Sequence, residues 1–459
     1  MKAPIPSTSV REEARAVPVV HECDLCVVGG SCTGVFAAVR AARLGVRVAL
    51  VENNGFFGGV ATAGLVTIWH PLVDANNEHP IIGGLTAELI ERLKRRSAVT
   101  VSNPPRIHCG FTFNAEEMKI DLDELVQEHG IRPFLHTRFV APVMEDDRLR
   151  AVIVEDKSGR RAIAARMFID ATGDGDVAAR MGLPFEQRDN LQPPTLVAIF
   201  DQYAEIRRRN PEFNLMAEVH DPRHPNALKD GFAWGAHVPG RPESFMVAGT
   251  RARNANCADA DQLTAATLEC RRQVRVIGDI LRNHVAGGER LALANLASYI
   301  GIRETRHIRC HYRLTEDEVL AGVRFPDAIA NGTYGVDIHH SEKPGITMRY
   351  LDGTEVYNEP GQPVRKGRWR DAAEGTTPFY QIPYRCLVPP GVPNLLVAGR
   401  LIDADRGAYG AIRVMVNCNQ TGEAAGVACW LAMEAGGSVA EVDPARLRTV
   451  LRDGGSIMR

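Results

Sequence analysis

The stretch CDLCVVGGSCTGVFAAVRAARLGVRVALVE, residues 23–52, contains the glycine-rich turn that decides the fold. It begins with a short apolar run that ends in glycine, as a buried parallel strand does. Small residues at helical spacing follow Gly34 and end at Gly45, and a second apolar run, 46–51, stops at Glu52. Strand, tight turn, helix, strand and terminal acid in this order predict a unit that binds an adenine dinucleotide.

Each position of the turn has a physical role. Gly29 allows the tight bend, and Gly34 lets the helix pack closely on the strand. The helix N-terminus offers unpaired N–H groups and the positive end of its dipole to a pyrophosphate. Glu52 is suited to accept hydrogen bonds from the ribose hydroxyls, and its charge would repel the 2′-phosphate of NADP. The middle position, usually glycine, is Ser31, whose Cβ narrows the turn and whose hydroxyl can donate to a phosphate.

A second glycine-rich segment indicates FAD rather than NAD. Residues 53–64, NNGFFGGVATAG, suit a backbone that runs close to a large flat cofactor. The later pattern predicts a helix at 115–129, strands at 133–136, 139–144, 149–155 and 161–166, a buried strand followed by a tight turn at 167–176, another strand at 394–400, and a long helix at 411–433.

The turn at 173–178 raises the alternative of a second nucleotide site. Gly173, Gly175 and Ala178 fit the spacing G-x-G-x-x-A. Asp174 and Asp176 would place negative charge where a pyrophosphate would lie. The second site is therefore disfavoured.

Together these features resemble the two-domain FAD fold of glutathione-reductase-type and fumarate-reductase-type flavoproteins. More narrowly, they resemble the FAD-dependent oxidoreductase family of bacterial proteins. The stretches that carry the resemblance are 27–34, 52–64, 169–176, 301–315, 325–339, 380–387 and 394–426. The resemblance implies that Val140 lies against the adenine and that Asp403 and 411–414 line the flavin. The expected cofactor-binding residues are Gly29, Gly30, Ser31, Cys32, Thr33, Gly34, Glu52, Asn53, Gly58, Gly59, Ala63, Val140, Ala171, Thr172, Gly173, Asp174, Gly399, Asp403, Ala411, Arg413 and Val414.

The expected fold class is α/β, with a Rossmann-like FAD-binding domain and an inserted α+β substrate domain. The predicted boundaries are an N-terminal extension at 1–20, an FAD-binding domain at 21–183 and 379–459, and a substrate or cap domain at 184–378. The cap segment is assigned because it lacks the alternation of strands and helices seen on either side.

The segment 303–313 contains two histidines in the spacing H-x-x-x-H, which on a helix would suggest a metal site. Alternation favours a strand instead, with His307, Arg309, His311 and Arg313 on one face. A cationic face repels a metal ion, so no metal is expected.

Candidate catalytic residues lie in the predicted cap domain and just before the last flavin strand. His339 is the expected general base because imidazole titrates near neutral pH, with Tyr384 as the alternative. Arg303 and Arg385 are expected to position oxygens or an anion, and Arg303 and Glu304 could instead form a buried ion pair. A helix N-terminus near Ala411 would stabilise negative charge on the reduced flavin.

Composition excludes several other classes. The net charge of −2 gives no electrostatic case for nucleic acid. The sequence has no apolar run of about 18 residues for a membrane span and no apolar segment near its start for a signal peptide. The ten cysteines have no regular spacing and indicate reduced thiols in a cytoplasmic protein. Only Cys32, near a helix N-terminus, has a position that would lower a thiol pKa.

The leading functional hypothesis is hydride transfer between FAD and a polar small molecule, a sugar or an organic acid, with an electron acceptor or donor that the sequence does not name. One alternative is a flavin monooxygenase or halogenase. A third reading is a non-catalytic protein that holds FAD for a structural or regulatory purpose. A homo-oligomer is compatible with all three.

Overall fold

The computed structural model describes residues 10, 12–106 and 108–459. Of the predicted N-terminal extension, residues 1–9 and 11 lie outside the described residues, and the first strand begins at Val19.

The first part of the chain forms β1 (Val19–Val28), α1 (Cys32–Arg43), β2 (Val48–Val51), β3 (Ile68–Trp69), α2 (Gly84–Arg95), β4 (Val99–Arg106), β5 (Cys109–Phe113), α3 (Ala115–Glu128), β6 (Arg132–Phe134), β7 (Arg138–Glu145), β8 (Arg148–Asp156), β9 (Gly159–Asp170), α4 (Asp176–Arg180) and β10 (Phe185–Glu186). The middle part forms β11 (Val197–Asp201), α5 (Tyr203–Arg209), α6 (Leu215–Val219), β12 (Trp234–Val238), β13 (Arg241–Ala248), α7 (Ala260–His284), β14 (Ala292–Leu296), β15 (His307–Ile308), α8 (Glu316–Ala321) and β16 (Ala328–Gly332). The last part forms β17 (Val336–His339), β18 (Ile346–Arg349), β19 (Thr354–Asn358), β20 (Arg365–Arg368), β21 (Tyr380–Pro383), β22 (Leu395–Val397), α9 (Arg406–Ile412), α10 (Met415–Ala435) and α11 (Pro444–Asp453).

A parallel sheet in the order β6-β2-β1-β9-β22 forms the centre of the molecule. The two predicted strands around the glycine turn pair in parallel, with Leu25 opposite Val48 and Val28 opposite Val51. Strand order reverses direction between β1 and β9, and ligands bind at such switch points beside the carboxyl ends of the strands. The predicted α/β fold of Rossmann type is confirmed.

The predicted meander is also present, as the antiparallel strands β7, β8 and β9. The strand expected at 161–166 and the one expected to begin at Met167 are a single strand, however. Residues 163–170 of β9 pair with β1 in one register, while its start pairs with β8 and its end with β22. Because β1 supports β9 along this whole length, nothing interrupts the strand between the two predicted halves.

Helix α10 packs directly against α1 through glycines. A Cβ on Gly422 would lie 2.1 Å from the Thr33 carbonyl oxygen, and one on Gly426 would lie 2.2 Å from that of Ala37. The close packing of small residues predicted for this helix is therefore confirmed. Its predicted start at Ala411 is wrong, because α9 ends at Ile412 and the extended backbone of Val414 (ψ 148°) separates it from α10.

The middle of the chain forms a separate sheet with its own core, which we call the second layer. The sheet β12-β13-β11-β14 and helix α7 enclose an apolar core of their own, drawn mostly from residues 196–302. Residues 308–351 instead contribute to the core that covers the parallel sheet. The predicted domain boundaries stay predictions. None of the described helices combines the length and apolar character needed to cross a bilayer.

Candidate active site

A cavity of about 570 Å³ lies at the carboxyl ends of β1, β2, β9 and β22. Residues 257–264 and 299–302 of the second layer close its side. Of the expected cofactor residues, those that line it are Gly29, Ser31, Cys32, Thr33, Glu52, Asn53, Gly58, Gly59, Ala63, Ala171, Thr172, Gly173, Asp174, Gly399 and Arg413.

The glycine turn has the geometry that its sequence predicts. Gly29 has a φ of 105°, and a Cβ there would lie 2.3 Å from the Ala171 carbonyl oxygen. A Cβ on Gly34 would lie 1.8 Å from the Gly29 carbonyl oxygen. No side chain caps the N-terminus of α1, so its first N–H groups face the cavity uncapped, as an anionic pyrophosphate requires.

Ser31 is accommodated by a glycine on the opposite loop. It forms an isolated parallel bridge with Gly58, and a Cβ on Gly59 would lie 2.7 Å from the Cβ of Ser31. The side chain that departs from the usual turn therefore fills space that Gly59 leaves open. Both residues keep contact with the cavity.

Glu52 is fixed at the end of β2 by backbone and side-chain donors. Its Oε2 accepts from the Gly30 N–H at 2.7 Å, and its Oε1 accepts from the N–H and side-chain amide of Asn54, each at 2.7 Å. Burial raises the pKa of this carboxyl, while these donors oppose the shift. The carboxylate is thus oriented before a ribose binds. Gly30 donates to it although Gly30 itself does not line the cavity.

The expectation that the helix N-terminus lowers the pKa of Cys32 is wrong. Burial raises the pKa of this thiol to about 12, and its Sγ lies 3.8 Å from the Gly58 carbonyl oxygen. Desolvation outweighs the dipole because the side chain is buried in the core.

In the second glycine turn, a carboxylate of the chain itself occupies the anion position. Asp170 Oδ2 accepts from the N–H groups of Val177 and Ala178, both at 3.0 Å, at the start of α4. Asp174 is held by Arg400 at 2.5 Å. The N–H groups that would have bound a second pyrophosphate are therefore occupied.

Several expected cofactor residues lie outside the cavity lining. The Val140 carbonyl accepts from Arg180, and the neighbouring Phe139 faces the cavity instead. Asp403 Oδ2 accepts from the Cys310 N–H at 3.0 Å. Others behind the lining are Gly30, Gly34, Ala411 and Val414. The helix N-terminus that reaches the cavity is that of α10, through Met415, Cys418 and Asn419, four residues beyond the predicted position.

None of the five expected catalytic residues lines the cavity, and Tyr384 and Arg385 have partners elsewhere. The Tyr384 hydroxyl donates to the Val439 carbonyl at 2.7 Å, and Arg385 pairs with Asp327 at 2.9 Å. Arg385 therefore forms an ion pair within the protein and does not take the expected position beside a substrate. Neither side chain lines the cavity.

Arg303 and Glu304 do not pair with each other. Glu304 binds Arg188 at 2.6 Å and His307 at 3.0 Å. The predicted strand at 303–313 is reduced to His307–Ile308, and both of these side chains are buried. Regular alternation is absent here because β15 pairs only with the two-residue β10.

His339 ends β17 and is buried between Arg251 and Asp337. Its Nδ1 lies 3.0 Å from the Nη2 of Arg251, and its Nε2 lies 3.2 Å from the Oδ2 of Asp337. A guanidinium can only donate, so Nδ1 is the acceptor and Nε2 carries the proton. Both ring nitrogens are therefore engaged, which leaves His339 no free atom for a substrate.

Asp337 is the centre of this group, which we call the Asp337 cluster: Asp337, His339, Tyr334, Arg413, Arg251 and Arg303. Oδ2 also accepts from the Tyr334 hydroxyl at 2.9 Å and from Arg413 at 2.8 Å. Oδ1 is buried and has no partner among the described residues. Arg413 both holds Asp337 and lines the cavity, because the break between α9 and α10 turns it inward.

The charges of the cluster are set by burial and by one another. Burial opposes ionisation of Asp337, but His339 and Arg413 lower its pKa further than burial raises it, to well below the usual range. Burial, with the positive charges of Arg303 and Arg251, lowers the pKa of His339 well below its ordinary value despite Asp337. Asp337 is thus a carboxylate and His339 a neutral imidazole near pH 7.

Sequence reasoning missed Asp337 as the central acid and missed Arg251 entirely. The only signal for Arg251 was an arginine three residues beyond the apolar end of β13. His307 and His311 belong to no group with metal-ligand spacing. Within the described ranges, the one such group is Asp74, Glu78 and His79, two of which are exposed.

Comparisons with known proteins give the family. No curated protein matches the chain significantly. Solved structures that match include a geranylgeranyl bacteriochlorophyll reductase-like protein from Thermoplasma acidophilum, with 12% identity, 94% of this chain and 83% of that chain covered, and a TM-score of 0.49. Another is the p-nitrophenol 4-monooxygenase of Pseudomonas putida, with 11% identity, 94% and 87% coverage, and a TM-score of 0.43.

A sequence model described as FAD dependent oxidoreductase matches residues 24–451, which is nearly the whole chain. The cavity fits this cofactor for three reasons. It offers an uncapped helix N-terminus and an oriented carboxylate, and its turn contains glycines at which a Cβ would clash with neighbouring atoms. The chain therefore belongs to the FAD dependent oxidoreductase family and is an enzyme with FAD as its cofactor.

Proposed function

We propose that this enzyme exchanges a hydride between FAD and a carbon that carries a hydroxyl or carbonyl group on a polar small molecule. The observation that carries the proposal is the double contact of Arg413. This side chain lines the cofactor cavity and also holds the Asp337 carboxylate, so it joins the cofactor site to a buried acid–imidazole pair.

The residues that would hold FAD follow from the cavity lining. The N–H groups at Cys32 and Thr33 would face the pyrophosphate, and Glu52 would accept from the ribose. The start of α10 at Met415 would meet the developing negative charge of the flavin. When bound, FAD supplies the site that accepts or returns the hydride.

The Asp337 cluster would handle the proton. The unpartnered Oδ1 of Asp337 would accept the hydrogen bond of the substrate hydroxyl and would receive its proton as the carbon is oxidised. His339 and Tyr334 hold the other oxygen, so the carboxylate stays in one orientation. The positive charge of Arg413 stabilises the oxygen while it loses the proton. In the reverse direction each transfer runs backwards.

Anaerobic bleaching of the flavin absorbance tests the proposal. The holoenzyme is mixed with polar hydroxyl compounds, sugars and organic acids first, and we expect at least one to bleach the flavin and to yield the corresponding carbonyl compound. Asp337→Asn should suppress the bleaching while the protein keeps its FAD. If the product contains oxygen from O₂, the reaction is a monooxygenation and not a hydride exchange. A flavin that no compound in the panel reduces would support the non-catalytic reading.

A further inference from the structure

The Asp337 cluster contains more positive than negative charge. Arg251, Arg303 and Arg413 are three cations against the single carboxylate of Asp337, and His339 is neutral, which leaves a surplus of two. Arg413 is paired with Asp337, whereas neither Arg251 nor Arg303 forms an ion pair with any described carboxylate. The surplus therefore belongs to Arg251 and Arg303.

These two guanidinium groups are held close together by neutral acceptors only. The Thr195 hydroxyl oxygen accepts from Arg251 at 2.6 Å and from Arg303 at 2.5 Å. Backbone carbonyls of Thr250 and Pro193 accept a further bond from each. A buried cation without a counter-charge costs several kcal/mol, so the burial of Arg251 beside a second guanidinium group favours an anion bound next to the pair.

Most of the unsatisfied polar groups around the cluster are donors. Gln192 is 1% exposed, and its Oε1 accepts from the His339 N–H at 3.1 Å while its Nε2 has no acceptor. The Nε of Arg413 is likewise buried and unpartnered. Arg303 uses only its Nη1 among the described residues, which leaves the planar Nε–Nη2 edge without an acceptor. A ligand with several acceptor oxygens would satisfy these groups together.

Access to this place comes from the cofactor cavity. Arg413 lines the cavity, and so do Gly301 and Ile302, which directly precede Arg303. Arg303 itself is only half-buried, unlike Arg251, which is 6% exposed. The Arg303 side chain is not itself part of the cavity lining, so a small molecule that extends from the flavin past Ile302 would reach it before the more deeply buried Arg251.

We propose that Arg303, supported by Arg251, binds a carboxylate group of the substrate, so that the enzyme acts on hydroxy acids or their keto acids and not on neutral polyols. This deepens the proposed hydride exchange and rests on it. The free edge of Arg303 presents two parallel N–H donors, which match the two oxygens of a carboxylate. Asp337 is then left to accept from the hydroxyl of the same molecule.

Binding of redox-inert anions to the oxidised holoenzyme tests the proposal without any turnover. Malonate is titrated against its neutral counterpart malonamide, with the visible flavin spectrum as the readout. We expect malonate to perturb the spectrum saturably and to bind about tenfold tighter or more than malonamide. Equal affinity for the two compounds, or a phosphate monoester that binds more tightly than any carboxylate, overturns the proposal.

Substitutions locate the site of binding. Arg303→Met and Arg251→Met should each weaken malonate about tenfold or more and leave malonamide unchanged. The control is Arg282→Met, which removes one positive charge from α7, where Arg282 binds Asp279 and the Leu291 carbonyl. If Arg251→Met fails to fold, Arg303→Met carries the test, because Arg303 bonds only one carbonyl and one hydroxyl. Malonate affinity that both variants retain contradicts the assignment.

The same experiment separates this inference from the proposed function. If neutral polyols bleach the flavin and the enzyme has no affinity for carboxylates, hydride exchange is supported and the acid substrate is contradicted. If carboxylates bind at Arg303 but no hydroxy acid bleaches the flavin, the anion site is supported and hydride exchange is contradicted.

Discussion

The Nδ1 atom of His339 lies 3.0 Å from a guanidinium nitrogen of Arg251. Because an arginine only donates, this contact places the ring proton on Nε2, where it points to Asp337. His339 is therefore a positioning residue, and the acceptor left for a substrate belongs to Asp337.

The pH dependence of flavin reduction should show this assignment. The pKa of His339 is lowered well below its ordinary 6.5, and that of Asp337 lies below its own usual range. Neither group is therefore expected to change charge around neutral pH. We expect the rate of anaerobic bleaching, plotted against pH, to show no inflection near pH 6.5. If the rate does change near pH 6.5 and His339→Asn removes that change, the imidazole is the base.

Because the pKa of Asp337 is depressed on folding, its stabilising contribution is complete above the ordinary aspartate range and declines only in acid.

Removing the charge of Asp337 should stop catalysis without emptying the cofactor site. For Asp337→Asn we expect the bleaching rate to fall by about 100-fold or more, since general acid–base groups contribute on that scale. FAD content, measured by absorbance, should stay unchanged because Asp337 does not line the cavity. Asp146→Asn, in the exposed turn between β7 and β8, is the matched control. A bleaching rate within a few-fold of the wild type would remove Asp337 from the mechanism.

Ser31 and Gly59 should behave as a coupled pair. Gly59→Ala places a Cβ within 2.7 Å of Ser31, so we expect weakened FAD binding. Ser31→Gly removes that clash and should restore part of the affinity in the double variant. The remaining loss reflects the positive φ of Gly59, 56°, which costs alanine about 1 kcal/mol. A double-mutant cycle on the FAD dissociation constant measures the coupling. Strictly additive effects would mean that the two positions are independent.

Cys32 should be unreactive in the folded protein. Burial raises its pKa to about 12, so almost no thiolate is present at neutral pH. Treatment of the holoenzyme with iodoacetamide, followed by peptide mass spectrometry, should leave Cys32 unmodified. Denaturation before treatment should make it react. Fast alkylation in the native state would contradict the burial.

Glu423 should make the protein less stable as the pH rises. This buried acid of α10 lies 3.5 Å from Arg40 and accepts from the Leu85 N–H, and burial raises its pKa to about 7 despite these partners. The folded state holds the proton up to a higher pH than the unfolded state does. Its contribution to stability is therefore complete below about pH 4.5 and is lost as the pH rises to about 7, a change of about 3 kcal/mol.

Glu423→Gln should flatten that slope. Melting curves of both proteins from pH 5 to pH 8 measure it, and we expect the wild type to lose more of its melting temperature over this range than the variant. Parallel curves would show that Glu423 does not titrate there.

The sequence was informative where short-range geometry decides the structure. The spacing of Gly29 and Gly34 predicts a turn that tolerates no Cβ, and Glu52 follows at the end of the next strand. Apolar runs likewise predict β1, β2 and β9. These elements depend on neighbours along the chain or on burial alone, and both leave a pattern in the residues.

The Asp337 cluster left no such pattern. Arg251, Asp337 and Arg413 come from three distant segments, and only folding brings them together. The helix break at Val414 was missed because the small residues around it continue a helical pattern. At this break Arg413 is placed so that it binds Asp337. His339 drew attention as an imidazole, although its neighbours engage both of its nitrogens.

Asp170 has a consequence for redesign of this protein. It binds the N-terminus of α4 through Val177 and Ala178, so the second glycine turn already contains its own internal anion. Replacing Asp174 and Asp176 would remove charge near the turn but would leave its N–H groups occupied. A designer who wanted a second dinucleotide there would have to remove Asp170 first, and α4 would then lose the bonds that anchor it to β9.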